Sequence, residues 1–368
     1  MQMEGTILTP EGWRSGRLLI DRGLIAAIEY EHEGEAIESG GAPRLIPGFI
    51  DLHVHGGGGA DLMEGGEALA VMARTHARFG TTSLLGTSMT ASRVHLEAAL
   101  GDAGRVMKNP PEDGAALLGI HLEGPFISPE RLGAQPAFAR PGTLEEFKAL
   151  NALAPIRVVT LAPEIEGHPA LIEALSRLGV RVQIGHSDAD YATALSALER
   201  GAAGFTHLFN AMSGFHHREA GVLGAALAHA EYAELIADLI HVEAGALLAA
   251  RRAIPSLYAV TDATAAAGMP EGAYRLGEHR VFRRGESVRL ADGSLAGSAL
   301  TMDRAFRHLI ELGLSAAEAS ARLSTLPARY LGLDDRGALS PGLRADVVCL
   351  DAEHRVTQVV IGGRSVVN

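Results

Sequence analysis

Between Ile46 and Thr261 short apolar runs alternate with longer stretches of helical period. The runs are Ile46–His53, Thr81–Gly86, Ala116–Leu122, Ile156–Ala162, Val180–Gly185, Gly204–Leu208, Leu235–Leu239 and Leu257–Thr261. Short apolar runs bounded by turn residues fit interior parallel strands. Apolar positions three and four apart predict helices over Glu67–Arg78, Arg93–Met107, Leu144–Ala152, Pro169–Leu178 and Tyr191–Arg200. Eight strands interleaved with helices predict an α/β fold, a (β/α)8 TIM barrel. A doubly wound open sheet competes, but the chain carries neither a dinucleotide-binding glycine fingerprint nor a phosphate-binding P-loop. Tyr274–Leu290, polar and strand-like, reads as a hairpin laid over the barrel mouth, and helices at Met302–Leu312 and Ala316–Ser324 close this section.

The two ends have a different rhythm. Short apolar segments at Gly5–Leu8, Arg17–Ile20 and Leu24–Glu29 match others at Asp346–Leu350 and Val356–Ile361. They read as small strands and predict one β domain built from both termini, residues 1–45 with 338–368, around a barrel of residues 46–337.

Composition narrows the picture. Of 368 residues, 47% are hydrophobic and 21% charged, enough apolar material for a full core. A net charge of -12 argues against nucleic acid as the main partner, though a local arginine can still hold a phosphate. Cys349, the only cysteine, lies in an apolar run and reads as a core residue, so no disulfide forms within one chain. No basic-then-apolar leader and no apolar run of membrane length is seen, so the expectation is a soluble cytoplasmic protein with no membrane partner.

In a barrel of this kind chemistry sits at the C-terminal ends of the strands. The first run ends in His53-Val54-His55, two histidines on one face because alternate strand residues share a face. The third ends at Glu123, the fifth at His186, the sixth at His207 and the eighth at Asp262. Each has an ordinary explanation alone: a carboxylate at a helix start, a hydrogen-bonded core histidine, an N-cap. Six metal-type ligands at one end of five strands are explained more simply by a shared metal site. Histidine and carboxylate ligands without cysteine suit Zn, with Fe, Mn or Co as alternatives. One or two divalent ions per subunit fit. With two, Glu123 bridges, His53, His55 and Asp262 hold one, and His186 and His207 hold the other.

Pro47-Gly-Phe-Ile-Asp-Leu-His-Val-His55 resembles the opening strand of the amidohydrolase superfamily. His121-Leu-Glu-Gly-Pro-Phe126, Gly185-His-Ser187 and Thr206-His-Leu-Phe-Asn-Ala-Met212 narrow the resemblance. So do His217-Arg-Glu219, Asp238-Leu-Ile-His-Val242, Thr261-Asp-Ala-Thr264 and Leu295-Ala-Gly-Ser298. In that order they resemble the N-acetylglucosamine-6-phosphate deacetylase family. The resemblance implies a metal-dependent barrel with a small β-sandwich, a homodimer, and hydrolysis of N-acetylglucosamine 6-phosphate to glucosamine 6-phosphate and acetate, in amino-sugar catabolism and cell-wall sugar recycling. It implies that Glu123, His186 and His207 are metal ligands, that His53 and His55 match the pair found in two-metal members, and that Asp262 is the catalytic acid and base. It further implies substrate contacts from His241, Asn210, Ala211, Leu295 and Ala296, and phosphate contacts from His217 and Arg218, which a neighbouring subunit could offer.

One departure stands out. Gln135, in Gly133-Ala-Gln-Pro136, fills a position where many members carry a histidine that polarises the acetamide carbonyl. An amide donates a hydrogen bond but brings no positive charge. A second metal at His53 and His55 would then take over the polarisation. The chain has only two lysines, Lys108 and Lys148, and neither falls at a strand end. A carboxylated lysine bridge, as in cyclic-amide hydrolases of the superfamily, is therefore not expected. The remaining alternatives are an enzyme for a different N-acyl amino sugar or a cyclic amide, and a non-catalytic carbohydrate-sensing barrel.

Overall fold

A computed structural model describes residues 1–31 and 43–366; parts of the expected terminal domain, 32–42 and 367–368, lie outside the described residues. The eight expected barrel strands are present. Phe49–Val54, Thr81–Thr87, Ala116–Glu123, Ile156–Leu161, Arg181–Ile184 and Gly204–Phe205 form one parallel sheet in sequence order. Tyr232–Ile236 pairs in parallel with Ser256–Val260. Leu208 N–H donates to the Glu234 carbonyl (2.8 Å), joining strand six to strand seven. Val54 bridges Ala263, and Asp262 N–H donates to the His53 carbonyl (2.9 Å), closing strand eight on strand one. The expected α/β barrel is thus the fold of the molecule.

Local signals set the helices between strands. In Arg93–Lys108, Leu96, Ala99, Leu100 and Ala103 bury one face, while the Ser92 hydroxyl caps the start by accepting from His95 N–H. Thr143 and Asp190 cap Leu144–Asn151 and Tyr191–Glu199 in the same way. Lys108 and Lys148 both lie in these helices, away from the strand ends.

The termini form a seven-stranded sheet in the order Arg364–Val366, Val356–Ile361, Val347–Leu350, Arg44–Pro47, Gln2–Thr9, Gly12–Asp21 and Leu24–Tyr30. Its free edge curls back: Leu24 bridges Arg344, and Ile25 N–H donates to the Leu343 carbonyl (2.8 Å). Met3, Ile7, Leu18, Ile25, Leu45, Val347 and Val360 fill a core of its own, the sandwich packing expected of the termini, with Cys349 buried beside them.

The apolar run Ile46–His53 is two strands, not one. Arg44–Pro47 pairs with Gln2–Thr9 and Val347–Leu350, whereas Phe49–Val54 enters the barrel. The break falls at Gly48, where a Cβ would lie 2.3 Å from the Thr82 side chain, so only glycine fits the crossing. The expected hairpin at Tyr274–Leu290 is part of a four-stranded antiparallel sheet, Gly272–Leu276, His279–Arg284, Ser287–Arg289 and Leu295–Ser298. Ser298 N–H donates to the Asp262 carbonyl (2.8 Å), and the buried Asp61 carboxylate accepts from Gly277 N–H (3.0 Å). These two ties hold the sheet against the barrel mouth.

Candidate active site

Strand alternation brings His53 and His55 to the same side. Their Nε2 atoms lie 3.1 Å apart, and both side chains are buried. Glu123, at the end of strand three, faces them: its Oε2 is 3.2 Å from His55 Nε2 and its Oε1 3.5 Å from His53 Nε2. The other side of the same carboxylate meets a second pair. Glu123 Oε1 is 3.3 Å from His186 Nε2 and 3.0 Å from His207 Nε2, which are 3.1 Å from each other. Asp262 Oδ1 sits 3.2 Å from His55 Nε2 and 3.5 Å from His53 Nε2. All six expected ligand residues therefore converge, and Glu123 is common to both groups.

The donor chemistry asks for a cation. A backbone carbonyl only accepts, so a ring nitrogen facing one carries the proton. His55 Nδ1 faces the Thr87 carbonyl (3.2 Å), and His186 Nδ1 faces the Arg131 carbonyl (2.8 Å). His53 Nδ1 is 2.6 Å from the Glu234 carboxylate. The Nε2 atoms of these rings are thereby turned inward as lone-pair donors. Two imidazole lone pairs at 3.1 Å repel unless a proton or a metal ion lies between them. The residues fit a metal ion, and second partners that fix ring tautomers are typical of metal-ligating histidines.

Without an ion, the carboxylates draw protons onto the rings in its place, and a divalent cation would displace them. Burial lowers the His55 pKa, but hydrogen bonds to Asp262 and Glu123 outweigh it and lift it to about 9. Burial acts against His53 too, yet Glu123, Glu234 and Asp262 hold it well above its ordinary value. Burial favours the neutral acid of Glu123, but the His53 charge and hydrogen bonds from His186 and His207 hold it well below the usual carboxylate range. Asp262 is held low in the same way by His53 and His55.

The backbone around the mouth is strained. His186 (φ 48°), His207 (φ 27°), Phe209 (φ 81°), Ala211 (φ 48°), Leu239 (φ 61°) and Asp262 (φ 49°) adopt left-handed conformations. Each costs roughly 1–3 kcal/mol, and such strain collects at functional sites. Strand six stops at Phe205, three residues short of the expected Leu208, because the chain turns sharply at His207 to aim the ring inward.

These groups open on a cavity of about 150 Å³, lined also by Met89, Ala134, Gln135, Asn210, Ala211, Ile236, His241, Leu276 and Leu295. Gln135 is held from both ends: its Oε1 accepts from Thr90 N–H (2.7 Å) and its Nε2 donates to Glu123 Oε2 (2.5 Å). His241 Nδ1 is oriented by Asp238 Oδ2 (2.7 Å). Ala296 is buried beside the cavity without lining it, between Leu295 and Gly297, which do. His217 and Arg218 lie in an exposed turn closed by His216 and Glu219, apart from the cavity of their own chain.

Several neighbours escaped the sequence, Ile236 on the cavity wall among them. Glu234 is a single acid inside an apolar strand; its signal was that a barrel-facing position carried a charge. Met89 and Leu276 line the cavity from a loop and a hairpin end, where apolar residues give no chemical signal.

An amidohydrolase family model matches residues 44–366. The N-acetylgalactosamine-6-phosphate deacetylase of Escherichia coli O157:H7 is 42% identical, over 97% of this chain and 97% of its own. The N-acetylglucosamine-6-phosphate deacetylase of Bacillus subtilis (strain 168) is 40% identical, over 95% of this chain and 92% of its own. Among solved structures, the N-acetyl-D-glucosamine-6-phosphate deacetylase of Mycobacterium smegmatis, in complex with N-acetyl-D-glucosamine-6-phosphate, superposes with a TM-score of 0.91 at 32% identity, covering 100% of this chain and 99% of that one. No helix among the described residues is long and apolar enough to cross a membrane.

Proposed function

The chain belongs to the amidohydrolase family, whose members are metal-dependent, and from that premise we propose that it hydrolyses the acetamide of N-acetyl-D-glucosamine 6-phosphate to D-glucosamine 6-phosphate and acetate. The observation that carries the reaction is the pair of inward-facing histidine couples joined by Glu123, with Asp262 beside them at the cavity. The substrate is supported by the relatives at 36–42% identity, whose names specify 6-phosphorylated N-acetyl hexosamines.

His53, His55, Glu123, His186, His207 and Asp262 would hold the ion or ions, with zinc as the assigned metal. A bound divalent cation lowers the pKa of water toward neutrality and polarises a carbonyl. Asp262 is the general acid and base. As a carboxylate at the cavity it takes a proton from the attacking water and returns it to the leaving amine. Glu123 keeps both oxygens engaged and holds the two halves of the site in register. His241, fixed through Nδ1 by Asp238, turns its other ring nitrogen to a sugar hydroxyl. Asn210, Ala211 and Leu295 line the sugar's side of the cavity, with Ala296 behind them. We assign a cytoplasmic homodimer, in which His217 and Arg218 reach the phosphate bound in the neighbouring chain.

Acetate release by the purified metal-loaded protein tests this. N-acetylglucosamine 6-phosphate should turn over at least about 100-fold faster, in kcat/KM, than unphosphorylated N-acetylglucosamine, the effect of losing a buried charged contact. Equal turnover would end the substrate assignment. N-acetylgalactosamine 6-phosphate is the second reading, favoured by the 42% identical relative, and belongs in the same assay.

A further inference from the structure

Glu234 lies behind the cavity on Tyr232–Ile236 and is fully buried. We propose that Glu234 is a positioning residue dedicated to a second cation: it fixes His53 for coordination and supplies the buried negative charge that a second divalent ion requires. This rests on the reading of the site as metal-dependent and extends it to the metal count.

Three observations carry it. The first is geometry. Glu234 Oε1 accepts from His53 Nδ1–H at 2.6 Å and from the backbone N–H of His207 at 3.1 Å. One carboxylate oxygen therefore ties a ligand of the first pair to the strand end that carries the second.

The second is contrast. His55 and His186 are turned by neutral carbonyls, those of Thr87 and Arg131. Among the four histidines at Glu123, His53 alone is backed by a carboxylate. A carbonyl suffices to set a tautomer. A carboxylate adds charge, and raises the basicity of the ring it faces.

The third is charge balance. Among the described residues, the only ion-pair partner of Glu234 is His53. Gln183 Nε2 and Tyr258 O–H stand off at 3.4 Å from its other oxygen. Glu123 and Asp262 likewise have histidines as their only ion-pair partners among the described residues. Once the rings act as neutral ligands, these three buried carboxylates carry three negative charges, one more than a single divalent ion offsets. His121 groups with His53 and Glu234, but its nitrogens are taken by the Leu52 carbonyl (3.0 Å) and Thr160 Oγ1 (2.7 Å). It is not a competing ligand, and Glu234 is left to serve His53.

The test is zinc binding to the chelator-stripped full chain, by calorimetry, with metal per chain by elemental analysis after gel filtration. The wild type is expected to bind two zinc ions per chain. E234Q keeps the shape and an oxygen for His53 but loses the charge. It should bind one ion with unchanged affinity and the other about 10- to 100-fold more weakly, the usual effect of losing an outer-shell partner. In an H53A background the effect of E234Q should shrink, because Glu234 then has no ring to orient. Two full-affinity ions in E234Q would overturn the proposal. So would equal weakening of both ions together with a lower melting temperature, the mark of a purely structural role. A wild type that takes up a single ion would overturn it at its premise. Acetate release is measured separately, so failure of the substrate assignment leaves the metal count standing.

Discussion

The two histidine couples meet at one carboxylate with the same 3.1 Å spacing between Nε2 atoms, yet the chain builds them in different ways. His53 and His55 come from one strand, Phe49–Val54, and the residue that follows it, where alternation puts both rings on one side despite a shift in pairing register at Asp51–Val54. His186 and His207 come from two strand ends, each in a left-handed backbone conformation. The first couple is fixed through Nδ1 by Glu234 and the Thr87 carbonyl; in the second, His207 Nδ1 is buried without a hydrogen-bond partner among the described residues. The first couple is thus an addition to a strand that would form without it. The second is strained, and its two left-handed turns persist only because the surrounding structure holds them.

The severest way to break that comparison is to remove what the couples share. Glu123→Ala takes an acceptor from all four histidines. Activity should fall at least about 10⁴-fold, and zinc content should drop at both couples, because the loss of a shared ligand disables the metal's whole contribution. Far-ultraviolet circular dichroism checks that the barrel survives. Retention of even one tightly bound ion would mean that the couples are independent. Asp262→Asn comes next. The amide keeps the size of the side chain but cannot take a proton from water, so kcat should fall about 10²- to 10⁴-fold. Zinc should weaken only at the His53 and His55 couple, which Asp262 also faces; a loss of activity no larger than the loss of zinc would reassign Asp262 from proton carrier to ligand alone.

A third intervention separates the couples. His186→Ala should cost more activity than the double replacement His53→Ala with His55→Ala, by about tenfold or more in kcat/KM, as expected when one group holds an essential ion and the other a supporting one. Zinc stoichiometry read alongside should be one ion per chain in the double variant. If the double variant is the less active, the order of importance is reversed, and the strand-borne couple is the essential one.

The same contrast explains what could be read from the sequence. His53, His55, Glu123 and Asp262 were legible because strand ends in a barrel are predictable from alternating apolar runs, and their polar residues stand out there. His186 and His207 were legible as residue types, but their left-handed turns were not, since no glycine marks those positions. The crossing at Gly48 was hidden because Ile46 and Phe49 read as one apolar run, although they belong to different sheets. Glu234 is not legible because a lone acid in an apolar strand has no partner in sequence; its partner His53 is 181 positions away. His217 and Arg218 show the opposite limit. Their chemistry is plain in the sequence, but the folded chain leaves them in a turn outside its own cavity.

The smallest effect tests how the couples share Glu123. Thr90 N–H occupies Gln135 Oε1, so the Gln135 amide cannot flip, and its amino group must point at Glu123 Oε2. That oxygen is the one that faces His55, whereas Oε1 faces His186 and His207. One N–H of Gln135 is thereby committed to the carboxylate on the His55 side. Gln135→Ala removes this hold and leaves a buried acceptor one donor short, worth about 1–3 kcal/mol for a charged group. Activity should fall roughly 10-fold, well short of Asp262→Asn, and zinc should weaken first at the His53 and His55 couple. Gln135→Glu should do more harm than Gln135→Ala, because it sets two carboxylates against each other within hydrogen-bond reach. If Gln135→Ala instead lost as much as Asp262→Asn with both ions retained, Gln135 would be acting on the substrate carbonyl itself, and carbonyl polarisation would not have passed to the metal at His53 and His55.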